Sequence, residues 1–122
     1  MIVKEFSSSM HELESEIKKR IIDLGAEIFA EIDHAENAKK VGMRLDPTKV
    51  IIFGNPKVGT LLMQERREIA YELPLRIVIW TSSGKTYVGY KRPSELASEF
   101  GMRNLEVLKR MDEFMEKITN LN

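Results

Sequence analysis

The segment Phe53-Gly54-Asn55-Pro56-Lys57 is the part of the sequence whose residue types and spacing best suit ligand chemistry. An apolar run precedes it, and Pro56 suits the first turn of a helix, where its missing N–H group is not needed. Free N–H groups and the helix dipole favour an anion at such a point. Lys57 and Thr60 would add a charge and a hydroxyl. The alternative is a plain tight turn in which Asn55 only caps the helix.

The dipeptide Asp33-His34 is the second candidate, because a predicted strand passes into a predicted helix at this point. Imidazole titrates near neutral pH and serves as an acid, a base or a metal ligand. A helix start disfavours a protonated ring, so we expect His34 to be neutral and to act as an acceptor or ligand. The alternative is that Asp33 caps the helix and His34 is a surface residue.

Several kinds of site are excluded by what the sequence lacks. It has no cysteine, which removes disulfides, thiolate metal sites and a cysteine nucleophile. No spacing typical of zinc, calcium or non-haem iron ligands occurs, so no metal site is predicted. Phosphate-loop and nucleophile-elbow motifs are also missing. The identity of any cofactor stays open.

The composition predicts one folded domain spanning residues 1–122, since 43% of the residues are hydrophobic and 31% are charged. Nineteen basic residues balance nineteen acidic ones, which argues against a dedicated nucleic-acid binder. The longest apolar runs are too short to span a membrane. No signal peptide is visible at the start of the chain, so we expect a cytoplasmic protein.

The elements that must position the two candidates follow from hydrophobic periodicity and turn residues. They predict an α+β fold in two layers: a mixed five-stranded sheet with helices mostly on one face, in the order β-α-β-α-β-α-β-β-α-α. If the second and third strands are parallel neighbours, Asp33-His34 and the segment 54–60 meet at one edge of the sheet. Ligands commonly bind at such an edge in α/β proteins.

In combination, these motifs resemble the domain-of-unknown-function 302 (DUF302) family. The resemblance covers about residues 3–97, and its motifs are Asp33-His34-Ala35, Phe53-Gly54-Asn55-Pro56 with Gly59-Thr60, and Leu73-Pro74-Leu75. It implies a small α+β protein with an opening β-α-β unit and no settled biochemical activity. It also strengthens the expectation that the two junctions are functional. The last predicted helix, residues 104–121, is expected to extend beyond the family core and to cap the sheet or form a dimer contact.

The preferred hypothesis is a binding module for a small polar or anionic ligand. Its expected ligand-binding residues are His34, Phe53, Asn55, Lys57 and Thr60. A homodimeric interaction protein acting through the methionines of the last helix is the second hypothesis. An enzyme is the third, with His34 as acid or base and Asn55 beside an oxyanion. A metal or haem held by His34 is a fourth.

Overall fold

The computed structural model describes residues 1–121 and confirms the α+β fold with five strands. The first strand precedes the first helix, and the last two strands form a hairpin before the final helices. The strands are β1 (Ile2–Phe6), β2 (Glu27–Asp33), β3 (Thr48–Gly54), β4 (Leu75–Ser82) and β5 (Lys85–Tyr90).

The five α-helices follow the predicted order, with two short 3₁₀ segments between them. None of the helices among the described residues is long and apolar enough to cross a membrane. The helices are α1 (Met10–Asp23), α2 (His34–Lys40), α3 (Pro56–Glu65), α4 (Leu96–Phe100) and α5 (Leu105–Thr119); the 3₁₀ segments are Arg67–Tyr71 and Pro93–Glu95.

The sheet has the strand order β1-β5-β4-β3-β2, and every neighbouring pair is antiparallel. It is therefore not the mixed sheet that the sequence suggested. The β4–β5 hairpin turns at Ser83-Gly84, where both residues have positive φ angles of 49° and 77°. Such a turn matches the natural twist of the strands it joins, and Gly84 adopts its angle without steric cost.

One face of the sheet is covered by α1 and α5 and forms the main core. Ile51, Ile77 and Val88 contribute the sheet side of this core, and none is more than 1% exposed. Ile17 of α1 and Met115 of α5 are fully buried against them. Because side chains alternate along a strand, Val50 and Val78 face the other side of the sheet, where they are only partly covered.

A β-bulge interrupts β2 at Phe29. Ile28 pairs with Phe53, but the next paired residue is Ala30, opposite Ile52. Ile28 therefore packs against the core, whereas Ala30 belongs to the other face. Simple alternation would put Ile28 and Ala30 on the same side of the strand, and the extra residue in the bulge places them on opposite faces.

Candidate ligand-binding site

The two predicted junctions lie at opposite ends of the sheet. Because β2 and β3 are antiparallel, Asp33 pairs with Lys49 at the start of β3, whereas Gly54 at its end pairs with Glu27. Five residues of strand separate the two ends, or about 17 Å. The expectation that the junctions converge is wrong, since it required parallel neighbours.

The Asp33-His34 junction has the geometry of a plain helix cap. The carboxylate of Asp33 accepts a hydrogen bond of 2.9 Å from the backbone N–H of Glu36. His34 is the first residue of α2 and its side chain is exposed. Among residues 1–121, no three histidine, aspartate or glutamate side chains are placed to share a metal ion.

The start of α3 is also capped, and this changes the prediction that its free N–H groups bind an anion. Asn55 Oδ1 accepts the N–H of Lys57 at 3.0 Å, and Pro56 has no N–H to offer. The N–H of Gly59 bonds to the carbonyl of Asn55. Within the described part of the chain, the backbone N–H of Val58 is thus the first-turn N–H group that has no protein acceptor. The helix start therefore has far fewer free donors than a dedicated anion site would use.

The remaining predicted ligand-binding residues, Phe53, Lys57 and Thr60, differ in their exposure to solvent. Phe53 is fully buried, and its ring lies 6.1 Å from that of Phe114 in the core. Lys57 is exposed to solvent, whereas Thr60 is exposed at the edge of a cavity that Asn55 also lines.

This cavity, named here the loop cavity, encloses about 440 Å³ at the end of the sheet where β3 stops and β4 begins. Its volume lies within the range of small-molecule sites in proteins. Its walls come from the end of α1, the bulge of β2, the first turns of α3, the segment before β4, and α5. They are lined mainly by apolar residues: Leu24, Ala26, Phe29, Pro56, Val58, Met63, Ala70, Leu73, Pro74, Leu75, Met111 and Phe114, with Gly54, Gly59, Asn55, Thr60 and Arg110.

Three polar side chains stand at this otherwise apolar cavity. The carboxamide nitrogen of Asn55 makes no hydrogen bond to any described residue, so its two hydrogens are available to a ligand. The hydroxyl of Thr60 can donate or accept. Arg110 is largely exposed and lies 3.7 Å from Glu106, measured from Nε to Oε1. The arrangement suits a ligand that is mostly apolar and carries one polar end.

A pair of hydrogen bonds fixes two walls of the cavity relative to each other. The carboxylate of Glu65, at the end of α3, accepts the backbone N–H groups of Arg103 and Asn104, the second at 2.8 Å. Asn104 in turn caps the start of α5. The position of α5 therefore depends on α3, and the cavity between them has a defined shape.

The sequence analysis missed most of the apolar lining. Phe29, Met111 and Phe114 line the cavity and are not among the residues predicted to bind a ligand. One signal was available, because Leu73-Pro74-Leu75 is one of the family motifs and all three of its residues line the cavity. A Cβ atom added to Gly54 would lie 3.6 Å from Pro74 Cβ, so the two motifs are neighbours in the fold.

Comparison with known proteins gives relatives of two kinds. The chain is 35% identical over 103 residues to the fluoride-specific ion channel FluC 1 of Brucella suis biovar 1 (strain 1330) and to that of Brucella abortus biovar 1 (strain 9-941). The match covers 84% of this chain but only 41% and 38% of those proteins. The chain thus spans about two fifths of the length of these relatives.

A solved structure and a family model each match nearly the whole chain. The crystal structure of an uncharacterized conserved DUF302 protein from Bacillus stearothermophilus superposes with a TM-score of 0.89 at 17% identity, covering 98% of this chain and 94% of that one. The family described as domain of unknown function DUF302 matches residues 2–118. That span includes most of α5. The chain therefore belongs to the DUF302 family.

Proposed function

We propose that the protein is a binding module that holds a small, mostly apolar ligand in the loop cavity, with the ligand's polar end at Asn55 and Thr60. The observation that supports this proposal is the presence of a glycine, Gly59, in the cavity wall. It is an interior residue of α3 and lines the cavity. Glycine inside a helix costs about 0.5–1 kcal/mol relative to alanine.

No crowding requires glycine at this position. A Cβ atom added to Gly59 would lie 3.8 Å from Met63 Cε, an ordinary van der Waals distance. A larger residue would therefore fit, stabilise the helix and occupy the cavity. A glycine here keeps the cavity open at a cost in stability, which is the trade-off expected of a binding site.

The ligand expected from the sequence, a small polar or anionic molecule, changes accordingly. The capped start of α3 and the apolar lining favour a hydrocarbon or aromatic body over a compact anion. His34 lies at the other end of the sheet and has no role in this site. The homodimer expected from the sequence stays a prediction.

The partial match to the two fluoride channels supports a module that can accompany a larger protein. It does not by itself transfer fluoride transport to this chain, because the match covers about two fifths of each channel. Fluoride is small and strongly hydrated, and we expect sodium fluoride not to compete for the apolar loop cavity.

The proposal is tested by filling the cavity with Gly59→Leu. We expect the variant to unfold at a higher temperature than the wild type and to bind small amphipathic compounds, such as 1-octanol, about tenfold more weakly or worse. Binding is measured by calorimetry and by ligand-induced thermal shifts.

Gln64→Leu is the matched control. It adds the same apolar side chain to an exposed position of α3 that does not line the cavity. This control should bind as the wild type does. Unchanged binding by Gly59→Leu, or the absence of any bound compound in a broad amphipathic screen of the wild type, would show that the loop cavity is not a binding site.

A further inference from the structure

A second concavity lies on the opposite face of the sheet from α1 and α5. This groove, named here the basic groove, has a volume of about 550 Å³. Its floor includes Val50 and Val78, which lie side by side on β3 and β4 because they pair with each other. An apolar floor on an open sheet face can bury the hydrocarbon part of a ligand.

The rim of the groove carries an excess of positive charge. Arg76, Lys91 and Arg92 line it together with a single carboxylate, that of Glu72. Within residues 1–121, none of the three cations forms an ion pair within 4.0 Å or a side-chain hydrogen bond. The whole chain has a net charge of zero, so this is a local concentration of free cations.

The charge of Arg92 also acts on a carboxylate that does not line the groove, that of Glu116. The pKa of Glu116 is lowered, first by the hydrogen bond from Lys4 and to a smaller extent by Arg92. The free charge of the groove therefore rests chiefly on Arg76 and Lys91, which are both exposed.

Gly89 lies next to Val78 on β5 and is itself buried. Glycine inside a strand is unfavourable unless another group approaches closely. Here a Cβ atom would lie 3.2 Å from Trp80 Cζ3 and 3.0 Å from Met1 Sδ. The indole ring of Trp80 stacks on Tyr87 at 5.4 Å between centroids and lies over the glycine. The single tryptophan of the chain is thus placed beside the basic groove and on the opposite face of the sheet from the main core.

We propose that the basic groove binds a small amphipathic anion, with its apolar part on Val50 and Val78 and its carboxylate or phosphate between Arg76 and Lys91. This site is separate from the loop cavity, and the inference does not depend on the function proposed for that cavity. The apolar floor and the unpaired cations are complementary to the two halves of such a ligand.

The test uses Trp80 fluorescence in titrations with octanoate, octyl phosphate and 1-octanol, all below their aggregation concentrations. Octanoate and octyl phosphate separate a carboxylate from a phosphate. We expect a saturable change in emission with at least one anion, an affinity that falls with added salt, and binding of 1-octanol at least about tenfold weaker. The double variant Arg76→Gln/Lys91→Gln should bind the anion about tenfold more weakly than the wild type.

Lys39→Gln/Lys40→Gln is the matched control, because it removes two exposed positive charges from α2. Equal loss of binding in this control would overturn the proposal, as would equal responses to 1-octanol and the anions, or no response to either anion. The Gly59→Leu variant should leave the Trp80 response unchanged. If that variant abolishes it, the signal comes from the loop cavity and the basic groove is not the site.

Discussion

At the scale of single residues, Asn55 combines a structural contact with a possible ligand contact, and the two can be separated. Its Oδ1 atom caps α3, while its carboxamide nitrogen bonds to none of residues 1–121. Asn55→Ala removes the cap and should lower the free energy of unfolding by about 1 kcal/mol. Asn55→Asp keeps the capping oxygen but loses the nitrogen donor. We expect Asn55→Asp to unfold like the wild type in urea and to bind loop-cavity ligands more weakly in calorimetry.

His34→Ala is the comparison for both measurements. The side chain is exposed, and we expect a stability change within about 0.5 kcal/mol and no change in ligand affinity. A loss of ligand binding in this variant would contradict the placement of the site at Asn55 and Thr60, since about 17 Å of strand separates the two junctions.

The residue scale also shows what the sequence alone can predict. The capping residues Ser9, Asp33, Asn55 and Asn104 all accept hydrogen bonds from the helices they begin, because capping depends on neighbours within four positions. By contrast, the cavity lining could not be predicted from local spacing. It combines Phe29 with Phe114, which are brought together only by the packing of α5 against the sheet.

At the scale of elements, strand direction decided where the site lies. The strands themselves were predictable from their apolar runs, but nothing in β2 or β3 encodes whether they pair parallel or antiparallel. The long excursion through α2 was compatible with either arrangement. The antiparallel pairing places Asp33-His34 at the far end of the sheet from the loop cavity.

An ion cluster fastens α1 to β2 and β3, and it makes the stability of the fold depend on pH. Glu14 lies 2.8 Å from Lys18 and 2.7 Å from Lys49, and Lys18 also contacts Glu31. Burial alone would raise the pKa of Glu14, but the hydrogen bonds and charges of Lys18 and Lys49 outweigh it and lower that pKa below 4.5. The contribution of Glu14 is thus present above about pH 4.5 and is lost as the pH falls through the lowered value.

Glu14→Gln is expected to lower the free energy of unfolding at pH 7 by about 1–2 kcal/mol, because two partly buried lysines lose a carboxylate. The difference from the wild type should shrink as the pH falls below about 4.5, and urea unfolding between pH 7 and pH 3 measures it. Glu113→Gln, on an exposed position of α5, should show no such trend. A difference that stays constant over this range would mean that the charge of Glu14 does not stabilise the fold.

At the scale of the whole molecule, α5 joins two parts of the interior. Met115 and Ile118 belong to the core beneath the sheet, while Leu108 and Met111 pack with Leu62 of α3 in a second cluster. Lys4 Nζ reaches Glu116 and Thr119 at 3.0 and 2.9 Å and ties the helix to β1. The methionine stripe of α5, which consists of Met111 and Met115, therefore lies in the protein core. A dimer formed through it would require the interior to open.

Removing residues 102–122 tests this directly. The truncation removes five buried apolar side chains, those of Met102, Leu108, Met111, Met115 and Ile118. Each is worth about 1.5–3 kcal/mol, and the sum is comparable to the whole stability of a domain of this size. We expect a chain that aggregates or lacks cooperative unfolding. A soluble, folded monomer in light scattering would instead show that α5 is an interface.

Single substitutions of methionines test the same point without truncating the chain. Met115→Ala, at a fully buried position, should lower the free energy of unfolding by about 2–5 kcal/mol, whereas Met115→Leu conserves volume and should cost less than about 1.5 kcal/mol. Met43→Ala, at a position that is 68% exposed, should change stability by no more than about 0.5 kcal/mol. Because the buried stripe faces the sheet, none of these changes should alter the molecular mass in solution while the protein remains folded. A change of mass with Met115→Ala at unchanged stability would assign the stripe to an interface between copies.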